Sequence, residues 1–270
     1  MSLMPDRSNP LATARIWDLV AAHYLRDIAP RFALFADEAL RLADVGAGAR
    51  VLDVACGPGL LAVEAARRGA HAFAVDISPE MIACAREAAR AAGVEVDAHV
   101  GDGTALPFGQ ESFDAAACLF AIMFFPDRAK GFRELYRVLR CGGLAVVARQ
   151  LDRAPLLADI YRTLRAVLPQ LPFGPANQPV CDSDECGAEM RTAGFRDVDV
   201  HEVTRTFEIS SAEEFWLAIK QTTPAIRFAQ ESLSERWPEI DGRMTNLLRA
   251  RWGTGSQRVV MTANLVLGRR

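Results

Sequence analysis

Three aspartates and one glycine turn are the residues of this chain whose types and spacing could do chemistry. The stretch RVLDVACGPGLLAVEAARRGAHAFAVD runs from Arg50 to Asp76. Within it, Cys56-Gly57-Pro58-Gly59 must bend sharply from a strand into a helix. Glycine tolerates positive φ and lets a ligand approach the backbone closely, and the start of the helix offers unpaired N–H groups. Asp76, 17 residues beyond Gly59, stands where a carboxylate can accept hydrogen bonds from both vicinal hydroxyls of a ribose. Gly57-x-Gly59-x-x-Ala62 also satisfies the loose dinucleotide pattern. A dinucleotide and a smaller adenosine cofactor without phosphate both remain open on these residues.

Asp53 bears on that choice. It lies inside an apolar strand, where a carboxylate is costly unless a polar or cationic group satisfies it. It would repel the phosphates of a dinucleotide and would favour a cofactor carrying an ammonium group. A third acid opens GDGTALPF. Asp102 ends a strand, so its carboxylate can accept from an exocyclic amine such as adenine N6, and the Gly103 N–H can meet a ring nitrogen. Plainer readings stand beside these: a surface acid for Asp76, an Asp bonded to its own turn for Asp53, and an Asx-type turn for Asp102.

The elements that position these residues alternate. Apolar strands are expected at 50–55, 70–76, 94–100, 112–120 and 142–150. Helices are expected at 59–69, from a Ser78 cap and Pro79 to Gly93, and from Pro126 to Leu139. Such alternation, with strands apolar enough to be covered on both faces, predicts a doubly wound α/β fold on a parallel sheet. Ligands then bind outside the carboxyl ends of the strands, where the acids and glycines gather. Residues 11–43 carry helical periodicity broken near Pro30, and 1–44 is expected to form an N-terminal helical cap. The remainder, 45–270, is expected to be one domain. Beyond it come a helix at 156–168, a proline-rich link, a helix from about Asp182 to Gly194 with Glu185 placed for a capping box, and strands at 195–203 and 258–268. Ser211 and Glu214 form a second capping box, opening a helical stretch broken at Pro224 and Pro238. The insertions at about 151–181 and 204–253 could each pack above the carboxyl edge as a lid.

VLDVACGPG, VDISPEM, GDGTALPF, SFDAAACLFAIMFFPD and ELYRVLRCGG follow in the order and spacing of class I S-adenosylmethionine-dependent methyltransferases. The chain resembles the small-molecule branch that includes quinone-biosynthesis C-methyltransferases, over about residues 45–150. The resemblance implies a Rossmann-like seven-stranded sheet whose last strand is antiparallel. It implies that Asp53, Ala55 and the Gly57–Gly59 turn hold the methionine part of S-adenosylmethionine, that Asp76 takes the ribose, and that Asp102 takes the adenine. Ile77, Met81 and Gly103 would flank the adenosine, Cys118 and Phe120 would line the sulfonium side, and Tyr24 in a leading helix would touch the methionine end. The chain departs from the pattern in two places. Cys141 replaces a proline, and Met123-Phe124-Phe125 stands where the quinone enzymes carry Arg-Asn, which leaves the acceptor open.

Methyl transfer needs alignment and exclusion of water more than a covalent catalyst, so no catalytic residue is assigned. His71, His99 and His201 are poorly placed as bases, and His23 qualifies only if its helix forms a lid. Phe120, Met123, Phe124 and Phe125 could bind an apolar or aromatic acceptor, or simply fill the core. Phe215, Trp216 and Phe228 could likewise be lid contacts or packing. A net charge of −3 gives no general attraction to nucleic acid or anionic membrane. The longest apolar run, 115–125, is too short to span a bilayer. The first ten residues carry no apolar core of a signal peptide, and Met4 could be the native start. The six cysteines form no C-x-x-C pair, so a metal-free, reduced, cytoplasmic protein is expected. Its partner would be a small-molecule acceptor, with S-adenosylhomocysteine as the product.

Overall fold

The computed structural model describes residues 12–27, 29–151, 155–167 and 183–270. The proline-rich link, Cys181, Asp182 and Met4 lie outside the described residues. The order of elements is α1 (Ala14–Asp18), α2 (Ala21–Asp27), α3 (Ala29–Leu42), β1 (Arg50–Val54), α4 (Leu60–Arg67), β2 (His71–Asp76), α5 (Pro79–Ala92), β3 (Val96–Val100) and β4 (Phe113–Leu119). Then follow α6 (Arg128–Val138), β5 (Leu139–Leu151), α7 (Pro155–Val167), α8 (Ser183–Thr192), β6 (Arg196–Ile209), α9 (Ala212–Thr222), α10 (Pro224–Ser232), α11 (Trp237–Trp252) and β7 (Gln257–Arg269).

The seven strands form one sheet in the order β3-β2-β1-β4-β5-β7-β6. β1 through β5 are parallel, and β7 is antiparallel to both its neighbours. The carboxyl ends of β1 to β6 therefore share one edge. Small residues in the centre, Ala115 to Ala117 of β4, let helices settle closely on both faces. Phe35, Leu40, Leu61 and Ile82 cover one face, and Phe132, Leu135, Cys186 and Met190 the other.

Local chemistry fixes the helix starts. Ser78 Oγ accepts the Met81 N–H at 3.0 Å with Pro79 at the first helical position, and Gly93 closes α5 with φ 67°. Asp127 Oδ1 accepts the Lys130 N–H at 2.8 Å and caps α6, which begins at Arg128, two residues after Pro126. Ser211 Oγ accepts the Glu214 N–H at 3.1 Å. The returning Glu214 carboxylate takes the Ser210 N–H at 3.1 Å instead of the Ser211 N–H of a standard box. Pro30, Pro224 and Pro238 each sit at the start of a helix, where a missing N–H costs nothing.

Helices α7, α9, α10 and α11 form a third apolar cluster with Ile209 and Val259 at the ends of β6 and β7. Trp216 is 1% exposed there, and its Nε1–H donates to Asp241 at 2.7 Å. Trp216 and Phe215 are thus the packing of this helical layer, whereas Phe228 is exposed. α2 packs against α5 and α9, and α1 against α5 and α10. The leading helices bridge the β2 side of the sheet and the 212–252 helices.

Candidate active site

The turn after β1 is built from left-handed backbone. Ala55, Gly57 and Gly59 have φ of 53°, 52° and 75°. Ala55 adopts this conformation without being glycine, a strain that clusters at functional sites. A Cβ on Gly59 would lie 2.7 Å from the Ala85 Cβ, so this glycine also permits α4 and α5 to touch. The Cys56 N–H donates to Val75 O at 3.0 Å, which ties the turn to β2.

Asp76 completes the tie. Its Oδ2 accepts the Gly57 N–H at 2.8 Å and its Oδ1 the Ser78 N–H at 2.9 Å. Burial holds its carboxyl above the ordinary range against these two bonds. A carboxylate offers about four acceptor positions, and the Ile77 N–H also bears on this one. Asp53 is 3% exposed. Its one side-chain hydrogen bond among the described residues is from the Ala62 N–H in the first turn of α4, at 3.2 Å. Burial, helped by the Asp76 charge, pushes Asp53 up to about 7. Asp18, in α1, accepts the Ser78 Oγ–H at 2.5 Å and adds a third negative group beside Asp76. Among the described residues no Lys or Arg pairs with any of these three acids. A cluster of this kind favours a cation and opposes a pyrophosphate.

The remaining site residues fall into groups. Tyr24 is partly buried, and its phenol is pushed up first by burial and then by the Asp76 charge. Ile77 is exposed at the end of β2. The Gly101 N–H donates to Asp76 O at 2.9 Å, bringing the β3 end alongside. Asp102 forms the Asx turn: Oδ1 accepts the Thr104 N–H at 2.7 Å and Oδ2 the Thr104 hydroxyl at 2.9 Å. α6 pins this loop. Glu134 accepts the Leu106 N–H at 2.7 Å, and Arg137 donates to Phe108 O at 2.7 Å and Leu106 O at 3.1 Å. Two residues are buried away from any open surface. Met81 packs under Val20 and Ala21, and Cys118 is wholly buried, with its thiol pushed up by burial and by Asp53.

The aromatic residues after β4 separate in the structure. Phe120 has φ 59° and packs between Phe32 at 4.6 Å and Phe35 at 5.5 Å. Phe124 meets Trp17 edge-on at 5.2 Å. Phe125 is packing: a Cβ on Gly103 would lie 2.4 Å from its ring and one on Gly131 2.6 Å. His23 is held by Arg26, with Nδ1 2.9 Å from Nη2. His99 and His201 lie on the edge strands beside Asp97 and Asp199. Sequence reasoning missed Asp18, Glu134 and Arg137, although the last two lie inside the quoted ELYRVLRCGG stretch.

Comparison with known proteins agrees with this geometry. A family described as "Methyltransferase domain" matches residues 51–143. A demethylmenaquinone methyltransferase of a Mycobacterium species is 34% identical over 181 residues, covering 63% of this chain and 74% of that protein. The chain belongs to the class I S-adenosylmethionine-dependent methyltransferases. An uncharacterized protein of Mycobacterium tuberculosis is 37% identical over 127 residues, 47% of this chain and 46% of that protein. The chain thus matches about half the length of the first curated relatives. The crystal structure of the [4+2]-cyclase SpnF shares the fold across 100% of this chain and 99% of that one, with TM-score 0.62 and 19% identity. In this methyltransferase fold, the acids and glycines described above occupy the carboxyl edge of the sheet.

Proposed function

We propose that the chain transfers a methyl group from S-adenosylmethionine to a small organic acceptor by direct displacement, leaving S-adenosylhomocysteine. The observation that carries this reading is Asp53: a buried carboxylate with one N–H partner and no cation among the described residues, beside Asp76, which in turn feels the charge of Asp18. That environment fits a ligand bearing an ammonium and a sulfonium, and it disfavours the phosphates of a nicotinamide dinucleotide.

Asp53 and the Ala55–Gly59 turn would hold the amino-acid end, with Tyr24 beside them. Asp76 would take the ribose hydroxyls. Asp102 and the Gly103 N–H would meet the adenine, with Ile77 against its face. The bound cofactor supplies a methyl group already activated by positive sulfur. The chain's part is to orient the acceptor and exclude water, which can account for most of the barrier reduction in such reactions. α1 and α2 contribute to exclusion: Asp18 latches onto Ser78 and Trp17 onto Phe124, covering the edge between β2 and β4. No general base is assigned, and a displacement of this kind requires one only when the acceptor must lose a proton. The helices at 212–252 would form the other part of the roof. Among the described residues no helix is long and apolar enough to cross a membrane. The free thiols of Cys56, Cys84, Cys118, Cys141 and Cys186 fit a reducing, cytoplasmic location.

A thermal-shift comparison tests the cofactor. S-adenosylhomocysteine at 100 times its dissociation constant should add roughly 2.7 kcal/mol, a rise on the order of 5–10 °C. NAD and NADP should add nothing. A rise with either dinucleotide alone would reverse the reading of the glycine turn. Transfer of label from methyl-labelled S-adenosylmethionine to any small acceptor then separates an enzyme from a binding protein.

A further inference from the structure

One cation near the carboxyl edge lacks a direct ion-pair partner among the described residues. Arg31, in the first turn of α3, lays its guanidinium over the Phe207 ring at 4.8 Å and the Phe215 ring at 5.3 Å. Its Nη1 is buried and makes no hydrogen bond. A buried guanidinium nitrogen without an acceptor is left with its desolvation cost unrepaid. Two acids lie close enough to influence it, Glu214 and Asp27. Both are engaged elsewhere: Glu214 by the Ser210 N–H and hydroxyl, and Asp27 by Arg26 at 2.7 and 2.9 Å.

The position of Arg31 gives this vacancy a meaning. Phe207 is near the carboxyl end of β6, on the same edge as the acids of β1 and β2. Phe32, the neighbour of Arg31, stacks on Tyr24 at 6.2 Å and packs on Phe120 at 4.6 Å. Phe32 and Phe207 belong both to the core under the sheet and to the helical layer above it. Tyr24, Phe32 and Phe120 therefore form an aromatic run that ends one residue from Arg31, whose guanidinium lies over Phe207 and the buried Phe215.

We propose that Arg31 is a specificity-determining residue that recognises a planar oxyanion, foremost a carboxylate, on an apolar or aromatic methyl acceptor. A guanidinium offers parallel N–H donors that match such a group, and stacking on two rings holds its plane in place. This rests on the methyl-transfer reading above and names the acceptor class that the reading leaves open.

The test uses the full chain saturated with S-adenosylhomocysteine and titrated calorimetrically with 2-naphthoate and with 2-naphthamide, its neutral isostere. Naphthoate should bind at least tenfold more tightly. Arg31→Met should erase that preference while the affinity for S-adenosylhomocysteine stays the same. Arg31→Lys, which keeps the charge and loses the fork, should retain part of the preference and guards against a folding defect in the Met variant. Equal or absent binding of the two compounds to the wild type overturns the proposal, as does a preference that survives Arg31→Met. Failure of S-adenosylhomocysteine itself to bind would instead remove the methyl-transfer reading, and this proposal with it.

Discussion

Replacing Asp53 by Asn should make the ligand-free protein more stable at alkaline pH and a worse binder. The carboxyl of Asp53 is raised from 3.8 to about 7, chiefly by burial. Its folded pKa exceeds its unfolded one, so the folded state binds more protons between these values and stability falls as pH rises through that window. Below about 4 the group is neutral in both states and costs nothing. Above about 7 the full cost is present. Three pH units at ~1.4 kcal/mol each set a ceiling of roughly 4 kcal/mol, which local relaxation and water will lower. Asn keeps an oxygen for the Ala62 N–H and removes the charge. Urea unfolding at pH 5 and pH 8.5, compared at equal m-value, should show Asp53→Asn more stable than wild type by about 1–4 kcal/mol at pH 8.5. The difference should shrink markedly at pH 5. The same variant should lose at least tenfold in affinity for S-adenosylhomocysteine at pH 8, because an amide does not attract its ammonium group. A variant no more stable than wild type at pH 8.5, or one equally stabilised at both pH values, would refute a cation-seeking carboxylate at this position.

Further outcomes follow from the same geometry. Gly59→Ala forces a Cβ to within 2.7 Å of the Ala85 Cβ at φ 75°; left-handed strain and overpacking together should cost about 2–5 kcal/mol by chemical denaturation, and an unchanged midpoint would contradict the α4–α5 contact. Glu134→Gln should destabilise by about 1–2 kcal/mol at pH 7. Glu134 is held below the ordinary carboxylate range, first by its Arg137 hydrogen bond, so its contribution is present above that range and fades as pH falls through it; a pH-independent penalty would argue against the ion pair. Asp102→Ala should weaken S-adenosylhomocysteine while sparing S-inosylhomocysteine, measured by titration. Equal binding of the two nucleosides by the wild type would remove Asp102 from adenine recognition.

Much of this organisation was legible in the chain because the decisive residues violate their surroundings. An acid inside the apolar run VLDVA, two glycines in four residues and a Ser-Pro helix start have few physical explanations; the structure buries the acid, puts both glycines at positive φ and makes Ser78 the cap of α5. The strand expected at 195–203 is longer in the structure, where β6 spans Arg196–Ile209. Thr204 to Glu208 look polar, yet β6 continues to Ile209 because it pairs with β7 as far as Gln257. A two-stranded antiparallel extension satisfies its backbone without needing apolar side chains. Conformation was less accessible than composition. Nothing in the identity of Ala55 or Phe120 signals positive φ, since neither is glycine. Nor could spacing show that the Phe125 ring fills the volume left by Gly103 and Gly131. Asp18 and Arg31 escaped notice for the same reason. Each is an ordinary charged residue on a short or amphipathic helix, and only the packing of α1 to α3 over the strand ends brings them to the site.

Asp76 and its turn are proposed to hold an S-adenosyl ligand. Titration calorimetry of S-adenosylhomocysteine against the wild type and Asp76→Ala tests it most directly, with circular dichroism confirming that the variant is folded. The wild type should bind one ligand per chain, and the variant should lose at least tenfold in affinity through removal of charge-assisted bonds to a ribose. No binding to the wild type at millimolar ligand, or identical affinities for the two folded proteins, would contradict it.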